Sequence, residues 1–445
     1  MSSFSRFGFL AFFCVISANA FAENNSELLQ IKKEIEELKS SYEVRIHALE
    51  ERLKESEQQL SKSSQIVEAN AVVSNPISNH SFNPDVSLIL GGTYASFSQD
   101  PKKYRIQGFL PSGSDIGPGS RGFNLGESEL SLSANVDPNF SGKLTFSLAS
   151  DNTVSVEEAF FQSQGLSNGV NLKGGRFLSS FGYLNSQHAH AWDFIDAPLV
   201  YQAMFGGQYK SDGMQLKWLA PTDEFIEMGI ELGNGGKFPG NDRNKNGVGS
   251  TVLFAHVGDD IGDSISWRAG TSYLKTSSVD YTYVDPLNNI VNSVNANSNI
   301  WALDGVLKWS PNGNGTTTSL KLQTEIFQNR ESGFLTRDID PSIGFRAIQS
   351  GGYVQAVYQF KPEWRLGLRH DYLIAKTPSG IGANNFPSLT SYQPRKESVM
   401  LDYSPSEFSR FRVQLARDKS RPEVVDNQLM LQYIMSLGTH GAHTY

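Results

Sequence analysis

Beyond residue 85 the chain alternates apolar and polar residues with a period of two, in segments of about ten residues. Leu130, Leu132 and Ala134, for example, alternate with Ser131 and Ser133. This pattern is typical of β-strands with one apolar face. We count sixteen such segments, which begin near residues 86, 121, 141, 154, 169, 210, 224, 250, 263, 298, 316, 351, 363, 395, 408 and 426.

The connections between these segments differ in length according to their order. Those after even-numbered segments are short, at 137–139, 221–223, 311–313, 361–363 and 404–406. Those after odd-numbered segments are mostly long, at 100–120, 178–208, 234–249, 276–297, 330–350 and 376–394, with the short turn 151–153 as an exception. An even strand number with short turns on one rim and long loops on the other is typical of outer-membrane barrels. The sequence therefore predicts an all-β, 16-stranded antiparallel transmembrane β-barrel over residues 86–445.

The two faces of the segments suit a membrane on one side and water on the other. Trp301 and Trp309 are eight residues apart on the apolar face, roughly 25 Å at about 3.3 Å per residue. We expect them in the two aromatic girdles that border the apolar band. A water-filled lumen would let arginines of the opposite face point inward without the cost of burying unpaired charges. These arginines are Arg365, Arg369, Arg410 and Arg412.

Before residue 85 the apolar spacing changes. Residues 23–62 contain no glycine or proline, and their apolar residues recur at steps of three and four, as in heptad repeats. The stripe consists of Leu28, Ile31, Ile35, Leu38, Tyr42, Ile46, Leu49, Leu53 and Leu60. Because so narrow a stripe needs partner helices, we predict a periplasmic coiled coil that holds several copies together as a trimer or similar oligomer. One surface helix docked on its own domain is the alternative. Residues 63–85 are predicted to be a linker.

The first 22 residues have the composition of a targeting segment. Arg6 precedes an apolar core at residues 7–17, and the small residues Ala20 and Ala22 follow. This arrangement predicts a cleaved secretory signal peptide over residues 1–22. The one cysteine, Cys14, lies inside it, which excludes an intrachain disulfide.

Charge and hydropathy exclude two further classes. The formal net charge is -8 and there is no basic block, which argues against nucleic acid as a partner. No apolar run reaches the roughly 18 residues of a membrane helix, which excludes a helical-bundle membrane protein. The expected partners are outer-membrane lipid, a small-molecule solute and further copies of the chain, and no cofactor is expected.

Two pairs of motifs resemble known porins. VEEAFF at 156–161 and KGGRFLSSFG at 173–182 resemble the porin superfamily that includes phosphate-selective porins. QHAHAWDFIDAPLV at 187–200 and SLGTHGAHTY at 436–445 are similar to a narrower group, the plug-less siderophore porins typified by the legiobactin receptor. The resemblance implies a bacterial outer-membrane barrel that takes up ferric siderophore or another small anionic chelate. The phosphate-selective branch is less similar, because the inward charges are mixed in sign and form no lysine ladder.

The loop after the fifth segment is the main candidate for a pore constriction, because long porin loops often fold inward. It carries Trp192, Asp193 and Asp196, and Arg176 lies in the strand motif before it. An acidic loop facing the basic wall would create a transverse field that orients chelate-bearing solutes. The alternative is that the arginines pair with acids of the wall, such as Asp402, and fill the lumen.

Two histidine pairs have spacings at which imidazoles can share a metal ion. They are His188 with His190 in the long loop, and His440 with His443 near the last residue. Because no cysteine accompanies them and the pairs are far apart, we expect hydrogen-bonding histidines and no metal site. Asp242 starts a calcium-loop pattern, but the twelfth position lacks glutamate, so a turn is favoured.

Two classes of function remain open from the sequence. The first is a transport pore, either an uptake channel or a general diffusion porin. The second is a surface structural or adhesion barrel whose long loops bind a partner. We find no convincing Ser/His/Asp set for hydrolysis, so an enzyme is not expected.

Overall fold

A computed structural model describes residue 33 and residues 84–438, apart from 113–115, 165 and 242–245. The chain divides into two units, residues 1–80 and 81–445. Apart from Lys33, the predicted signal peptide and coiled coil lie outside the described residues, as do Asp242, His440 and His443. Among the described residues, no helix has the length and apolar character of a membrane span.

The described residues of the second unit form 17 strands and one short α-helix. The strands are β1 (Asp85–Phe97), β2 (Gly122–Leu125), β3 (Ser128–Asn135), β4 (Phe140–Leu148), β5 (Val154–Ser163), β6 (Val170–Leu178), β7 (Lys210–Leu219), β8 (Phe225–Gly233), β9 (Ser250–Ile261), β10 (Ile265–Val284), β11 (Val291–Trp309), β12 (Ser319–Arg337), β13 (Ile343–Lys361), β14 (Trp364–Ala375), β15 (Arg395–Ser406), β16 (Ser409–Lys419) and β17 (Asp426–Gly438). The α-helix is α1 (Leu199–Phe205), and 3-10 turns cover Pro101–Lys103, Ser167–Gly169, Ala189–Ala191, Pro311–Gly313 and Pro387–Leu389.

The strands form a closed antiparallel ring. Each strand from β3 to β17 pairs with its neighbour in sequence, and β17 closes the ring on β1, with Leu88 opposite Leu437. Both β2 and β3 pair with β1, so they are two parts of one interrupted strand. Counted in this way the barrel has sixteen strands, and the predicted 16-stranded antiparallel barrel is confirmed. The predicted single segment near residue 121 is wrong in one detail, since it is broken at Gly126 and Glu127.

Glycine explains the close approach at this break. The Gly126 N–H donates to the Gly91 carbonyl oxygen at 2.9 Å. A Cβ atom on Gly91 would lie 2.5 Å from the carbonyl oxygen of Glu127, closer than such atoms approach each other. Only a residue without a side chain lets the two backbones meet here.

The strands expose apolar side chains and bury polar ones, the reverse of a soluble protein. Along β16, Phe411, Val413 and Leu415 are exposed, whereas the alternating Arg412 and Gln414 are buried. The barrel therefore presents an apolar outer surface and a polar inner surface, as the alternation predicted.

Aromatic side chains mark the rim that carries the short turns. Trp364, Tyr403, Phe411 and Tyr433 form a row across β14–β17, with ring centroids 4.6, 6.3 and 4.6 Å apart. Trp309 is exposed at the end of β11, toward the same rim. Such a row is typical of the interfacial girdle of a membrane barrel.

Four strands are much longer than the alternation predicted. β10 has 20 residues, and β11, β12 and β13 have 19 each. The long loops expected at 276–297 and 330–350 are therefore wrong, and the connections shrink to 285–290 and 338–342. At about 3.3 Å per residue, 19 residues span roughly 63 Å, well beyond an apolar band about 25 Å tall even when the strand is tilted.

The apolar residues of these strands change from the outward to the inward face partway along. The sequence pattern therefore did not show that the strands continue. Above the exposed Trp301, the outward positions of β11 become polar, with Asn297 and Asn299. The inward positions become apolar instead, and Val294 and Ile300 are fully buried. The upper parts of the strands thus follow the ordinary rule for a protein in water, with the apolar side inward.

The barrel interior contains an apolar cluster as well as polar side chains. Phe181, Tyr201 and Phe205, from the connection between β6 and β7, pack on Phe327 of β12, with ring centroids 5.1–5.9 Å apart. Tyr353 of β13 is fully buried in the same cluster. The expectation of a water-filled lumen therefore needs correction, because protein fills the interior along these strands.

Candidate functional site

The connection between β6 and β7, residues 179–209, runs through the barrel interior, and we call it the crossing loop. Near its start, Ser179 Oγ donates a hydrogen bond to Glu231 Oε2 on β8 at 2.6 Å. The backbone N–H groups of Tyr183 and Leu184 donate to the Glu325 carboxylate on β12, each at 3.0 Å. The inward fold expected for this loop is therefore present.

Glu325 is the central anchor of the crossing loop. Its fully buried carboxylate also accepts hydrogen bonds from the hydroxyls of Tyr201 at 2.9 Å and Tyr353 at 2.6 Å. Two backbone N–H groups and two hydroxyls together satisfy a buried acid that has no cation within ion-pair distance.

The second half of the loop contains α1, which lies within the barrel. The helix starts after Pro198, whose fixed φ suits a helix start, and ends at Gly206, which has φ 68°. Glycine adopts this left-handed conformation at low cost, so it terminates the helix after two turns. All seven residues of α1 are buried, and the Leu199 N–H donates to Asp371 Oδ1 on β14 at 3.0 Å.

The acidic residues of the loop make direct contact with the basic wall. Asp193 pairs with Lys321 Nζ at 2.9 Å and with Arg365 at 3.3 Å. Asp196 pairs with Arg369 at 2.9 Å and with Lys396 Nζ at 2.5 Å. These contacts fix the loop on β12, β14 and β15.

The cations determine the protonation state of both loop acids. Burial acts to raise the pKa of Asp193, but Lys321 and Arg365 outweigh it and hold that pKa well below its usual value. Burial likewise acts against the charge of Asp196, and Lys396 and Arg369 lower its pKa in the same way. Both side chains are therefore carboxylates at any physiological pH.

The four predicted arginines form one patch with acids between them. Arg365 and Arg410 both donate to Asp402 Oδ2, at 2.9 and 2.5 Å, and Arg369 donates to Asp371 Oδ2 at 2.8 Å. Three of their guanidinium groups also hold the loop backbone. Arg410 and Arg412 donate to the Trp192 carbonyl oxygen at 3.0 and 2.6 Å, and Arg369 donates to the Asp196 carbonyl oxygen at 2.8 Å.

The structure thus brings seven of the eight predicted pore residues together. They are Trp192, Asp193, Asp196, Arg365, Arg369, Arg410 and Arg412. Arg176 lies elsewhere, where it pairs with Asp212 at 2.6 Å and is about one third exposed. The acidic loop and the basic wall are in contact, so they do not face each other across open water as the transverse-field interpretation assumed. The pairing of wall arginines with Asp402, which was the alternative interpretation, is present for Arg365 and Arg410.

Sequence reasoning missed Lys321 and Lys396. Lys396 lies opposite Asp371 of β14 and on the same inward face of β15 as Asp402, so strict alternation along that strand could have found it. Lys321 lies on β12 in step with the buried Gln323 and Glu325, so alternation could have placed it inward as well.

Around the acidic end of the loop, six cations meet five carboxylates, which leaves one positive charge in excess. The cations are Lys321, Arg365, Arg369, Lys396, Arg410 and Arg412, and the acids are Asp193, Asp196, Asp371, Asp402 and Asp418.

The first half of the loop contacts a different part of the wall through its histidines. His188 Nε2 lies 3.0 Å from Glu158 Oε2 on β5, and His190 Nδ1 lies 3.1 Å from Glu129 Oε1 on β3. The expected hydrogen bonding of these histidines fits this geometry. Their glutamate neighbours were not identified from the sequence.

A cavity of about 280 Å³ opens above the crossing loop, on the rim that carries the long loops. We call it the vestibule; it lies between residues 101–112, Ile116, α1, the end of β10 and Ser388. Lys102 and Arg105 line it, and none of the described residues that line it is a carboxylate. Burial lowers the pKa of Arg105, the nearby guanidinium of Arg421 lowers it further, and Asp285 acts in the opposite direction.

The comparisons with known proteins agree with this architecture. No protein-family model matches the chain. An uncharacterized protein of Aquifex aeolicus (strain VF5) is 29% identical over 402 residues, which cover 83% of this chain and 82% of that protein. The OmpF porin of Salmonella typhi, solved in complex with daunomycin, has 12% identity and a TM-score of 0.50, and the match covers 80% of this chain and 98% of OmpF. OmpT of Vibrio cholerae has 11% identity and a TM-score of 0.49 over 82% of this chain and 100% of OmpT. The likeness to OmpF shows the fold alone.

Proposed function

We propose that this protein is an outer-membrane channel of the porin type that takes up a small anionic solute, such as ferric siderophore or another anionic chelate. The exposed apolar strand faces and the aromatic row support a position in the outer membrane. The crossing loop, held on several strands of the wall, has the geometry of a constriction within such a channel. Only 63 residues separate the predicted signal peptide from the barrel, too few for coil, linker and a folded plug.

The vestibule is the observation that carries the preference for anions. The described part of its lining offers Lys102 and Arg105 and no carboxylate, at the mouth where a solute would enter from outside. A concave site with charge of one sign raises the local concentration of solutes of the opposite sign. At about 280 Å³ the vestibule suits one carboxylate-bearing end of a chelate. From there the chelate would reach the arginine patch at the crossing loop, where cations outnumber carboxylates by one.

Current through single channels tests this proposal. The purified full chain is inserted into planar bilayers, and ferric citrate is added on the side of the long loops. We expect ion flow that ferric citrate blocks. The double variant Lys102→Gln and Arg105→Gln should weaken the block several-fold, whereas Lys376→Gln, an exposed lysine on the same rim, should leave it unchanged.

The remaining functions give different outcomes in the same experiment. Conductance that ferric citrate never blocks would identify a general diffusion porin. A folded protein that conducts no ions would identify a surface structural or adhesion barrel. Either result would overturn the proposal.

We further propose that the channel is a trimer held in part by the coiled coil predicted at residues 23–62. Changing Ile35 and Leu38 to Asp places charges in the predicted helix seam, where their burial is costly. Native mass measurement in detergent should then show a smaller species. Lys33→Asp, at an exposed position outside the stripe, is the control and should leave the oligomer intact. An unchanged oligomer in the double variant would contradict a role of the coil in assembly.

A further inference from the structure

A group of ionisable side chains lies inside the barrel where the crossing loop meets β3 and β5, next to the arginine patch, whose Arg410 donates to the His190 carbonyl oxygen at 3.3 Å. We call it the glutamate–histidine cluster. Its members are Glu127, Glu129, Glu157, Glu158, His188 and His190. Glu129, Glu157 and Glu158 are each at least nine-tenths buried.

A bulge in the wall creates the acidic side of the cluster. The pairing of β4 and β5 shifts by one residue, so that Thr145 faces Glu158 while Phe146 faces Val156. Glu157 is the extra residue, and both consecutive glutamates are buried instead of alternating between the two faces. Regular strand geometry would have placed one of them in lipid.

Three potential ligand atoms converge without a hydrogen bond between them. His188 Nδ1 lies 3.2 Å from Glu129 Oε2 and 3.5 Å from Glu157 Oε2. Both His188 Nδ1 and Glu157 Oε2 are buried and have no hydrogen-bond partner. Buried polar atoms without partners are rare in folded proteins and call for an explanation. His190 Nδ1 lies 3.1 Å from Oε1, the other oxygen of the Glu129 carboxylate.

The lysines among the described residues contact two of the four glutamates. Lys143 Nζ lies 2.9 Å from Glu158 and Lys210 Nζ lies 4.0 Å from Glu157. Without a metal, a protonated His188 is the further cation at this point, because its ring lies 3.0–3.5 Å from Glu129, Glu157 and Glu158. A divalent cation would take the place of that proton among the carboxylates.

We propose that the glutamate–histidine cluster binds a divalent transition-metal ion through His188 Nδ1, His190 Nδ1 and the carboxylates of Glu129 and Glu157. Imidazole and carboxylate ligands suit Zn²⁺, which binds nitrogen and oxygen in a tetrahedron at about 2.0–2.2 Å. That geometry places neighbouring ligand atoms roughly 3.3 Å apart, close to the 3.2 and 3.5 Å found around His188 Nδ1.

Glu158 has the position of an orienting group for this site. It contacts His188 at Nε2, the ring nitrogen remote from the other glutamates, at 3.0 Å. A carboxylate on the second nitrogen is the usual partner of a metal-binding histidine, because it fixes the tautomer and the ring orientation. Lys143 Nζ lies 2.9 Å from the same oxygen of Glu158 and 3.2 Å from His188 Nε2, so it holds both groups in place.

The site could not be recognised in the sequence, where the two histidines had no partner ligands nearby. Glu129 and Glu157 are about 30 to 60 residues away along the chain and meet them only because the loop folds inward. The metal would join the first half of the loop to β3 and β5. The second half is attached to other strands, β12, β14 and β15.

Zinc binding by the purified full chain tests the proposal. The protein in detergent is stripped with a chelator, titrated with Zn²⁺ alone, and its metal content is measured by mass spectrometry. We expect one zinc per chain and loss of that zinc in His188→Ala and in Glu157→Gln. Glu158→Gln should retain the site with roughly 10–100-fold weaker affinity, as is usual when the group behind a histidine ligand is removed. Co²⁺ in place of zinc should give the visible absorption of a tetrahedral ion.

The control is His370→Ala, which removes an exposed histidine that lies 3.8 Å from a single carboxylate, Glu397. It should bind zinc like the unchanged protein. The far-ultraviolet β-sheet spectrum of each variant shows whether the barrel has folded.

Two results would overturn the proposal. A folded protein that takes up no zinc would show that a proton on His188 occupies the centre of the cluster. Zinc that persists in His188→Ala but disappears in His443→Ala would place the metal on the terminal histidines instead.

Discussion

At the scale of single residues, the crossing loop depends on buried carboxylates that each serve several cations. Asp402 is fully buried and accepts hydrogen bonds from Arg365, Arg410 and Ser404. Removing one partner of a buried ion pair leaves the other charges uncompensated, at a cost of about 3–5 kcal/mol. We therefore expect Asp402→Asn to lower the free energy of unfolding by that amount, measured by urea unfolding in lipid vesicles.

The matched control for this change is Asp340→Asn. Asp340 pairs with Arg337 at 3.3 Å but is about half exposed, and such surface pairs contribute less than about 1 kcal/mol. Equal effects of the two substitutions would show that the pairs around Asp402 are not buried from water.

The low pKa of Asp196 predicts a pH dependence with a definite sign. A carboxylate whose pKa is depressed on folding stabilises the folded state above its unfolded pKa of about 3.9 and loses this effect as the pH falls further. The unfolding free energies of the unchanged protein and Asp196→Asn should therefore differ by a constant between pH 5 and pH 8. The difference should shrink below about pH 4. A difference that shrinks near neutral pH would contradict the ion pairs of Asp196 with Lys396 and Arg369.

The residues of this site were predictable to the extent that strand alternation was regular. Arg369 and Arg412 follow strict alternation on β14 and β16, and the loop acids Asp193 and Asp196 lie in a long connection, so all four were found. The pairs between them were not predicted, because which loop residue meets which strand depends on the path of the loop. Glu157 was missed because a bulge turns it inward, and a bulge has no signal in the alternation.

At the scale of elements, we expect the crossing loop to set the width of the lumen. Asp193→Asn together with Asp196→Asn removes its ion pairs with four cations of the wall. We expect the loop to detach at this end and the single-channel conductance to rise. The exposed pair of changes Asp223→Asn and Glu224→Gln, in a short turn, removes the same charge and should have no effect. Equal conductance in both double variants would show that the loop does not set the width of the pore.

The bounds of the strands were predicted well within the apolar band and poorly beyond it, on the side of the long loops. Fourteen of the sixteen strands start near their predicted starts, whereas β11 and β13 start earlier, and β10 and β12 continue beyond their predicted ends into predicted loops. Within the apolar band the apolar residues stay on the outward face of each strand, so the alternation is regular. Above it, Asn297 and Asn299 replace apolar residues on the outside while Val294 and Ile300 become the buried side. The change of phase looks like the end of a strand, although the backbone continues.

At the scale of the whole molecule, lipid acts as the solvent of the outer surface, and the cost of a charge there depends on depth. Leu415 and Phe411 are both exposed on β16, four residues apart, and Phe411 belongs to the aromatic row at the rim. Leu415→Arg should cost about 2–4 kcal/mol and Phe411→Arg about 0–1 kcal/mol in lipid. Urea unfolding in vesicles measures both. The reverse order would place the apolar band at a different height on the barrel.

The central claim is that the barrel forms a channel with a preference for anions. The reversal potential of the purified full chain in a planar bilayer, with a gradient of potassium chloride, tests it most directly. The account predicts steady conductance and a reversal potential of the sign set by chloride, moving toward that set by potassium in the Lys102→Gln and Arg105→Gln double variant. A folded protein without conductance, or one whose reversal potential has the sign set by potassium from the start, would contradict the account.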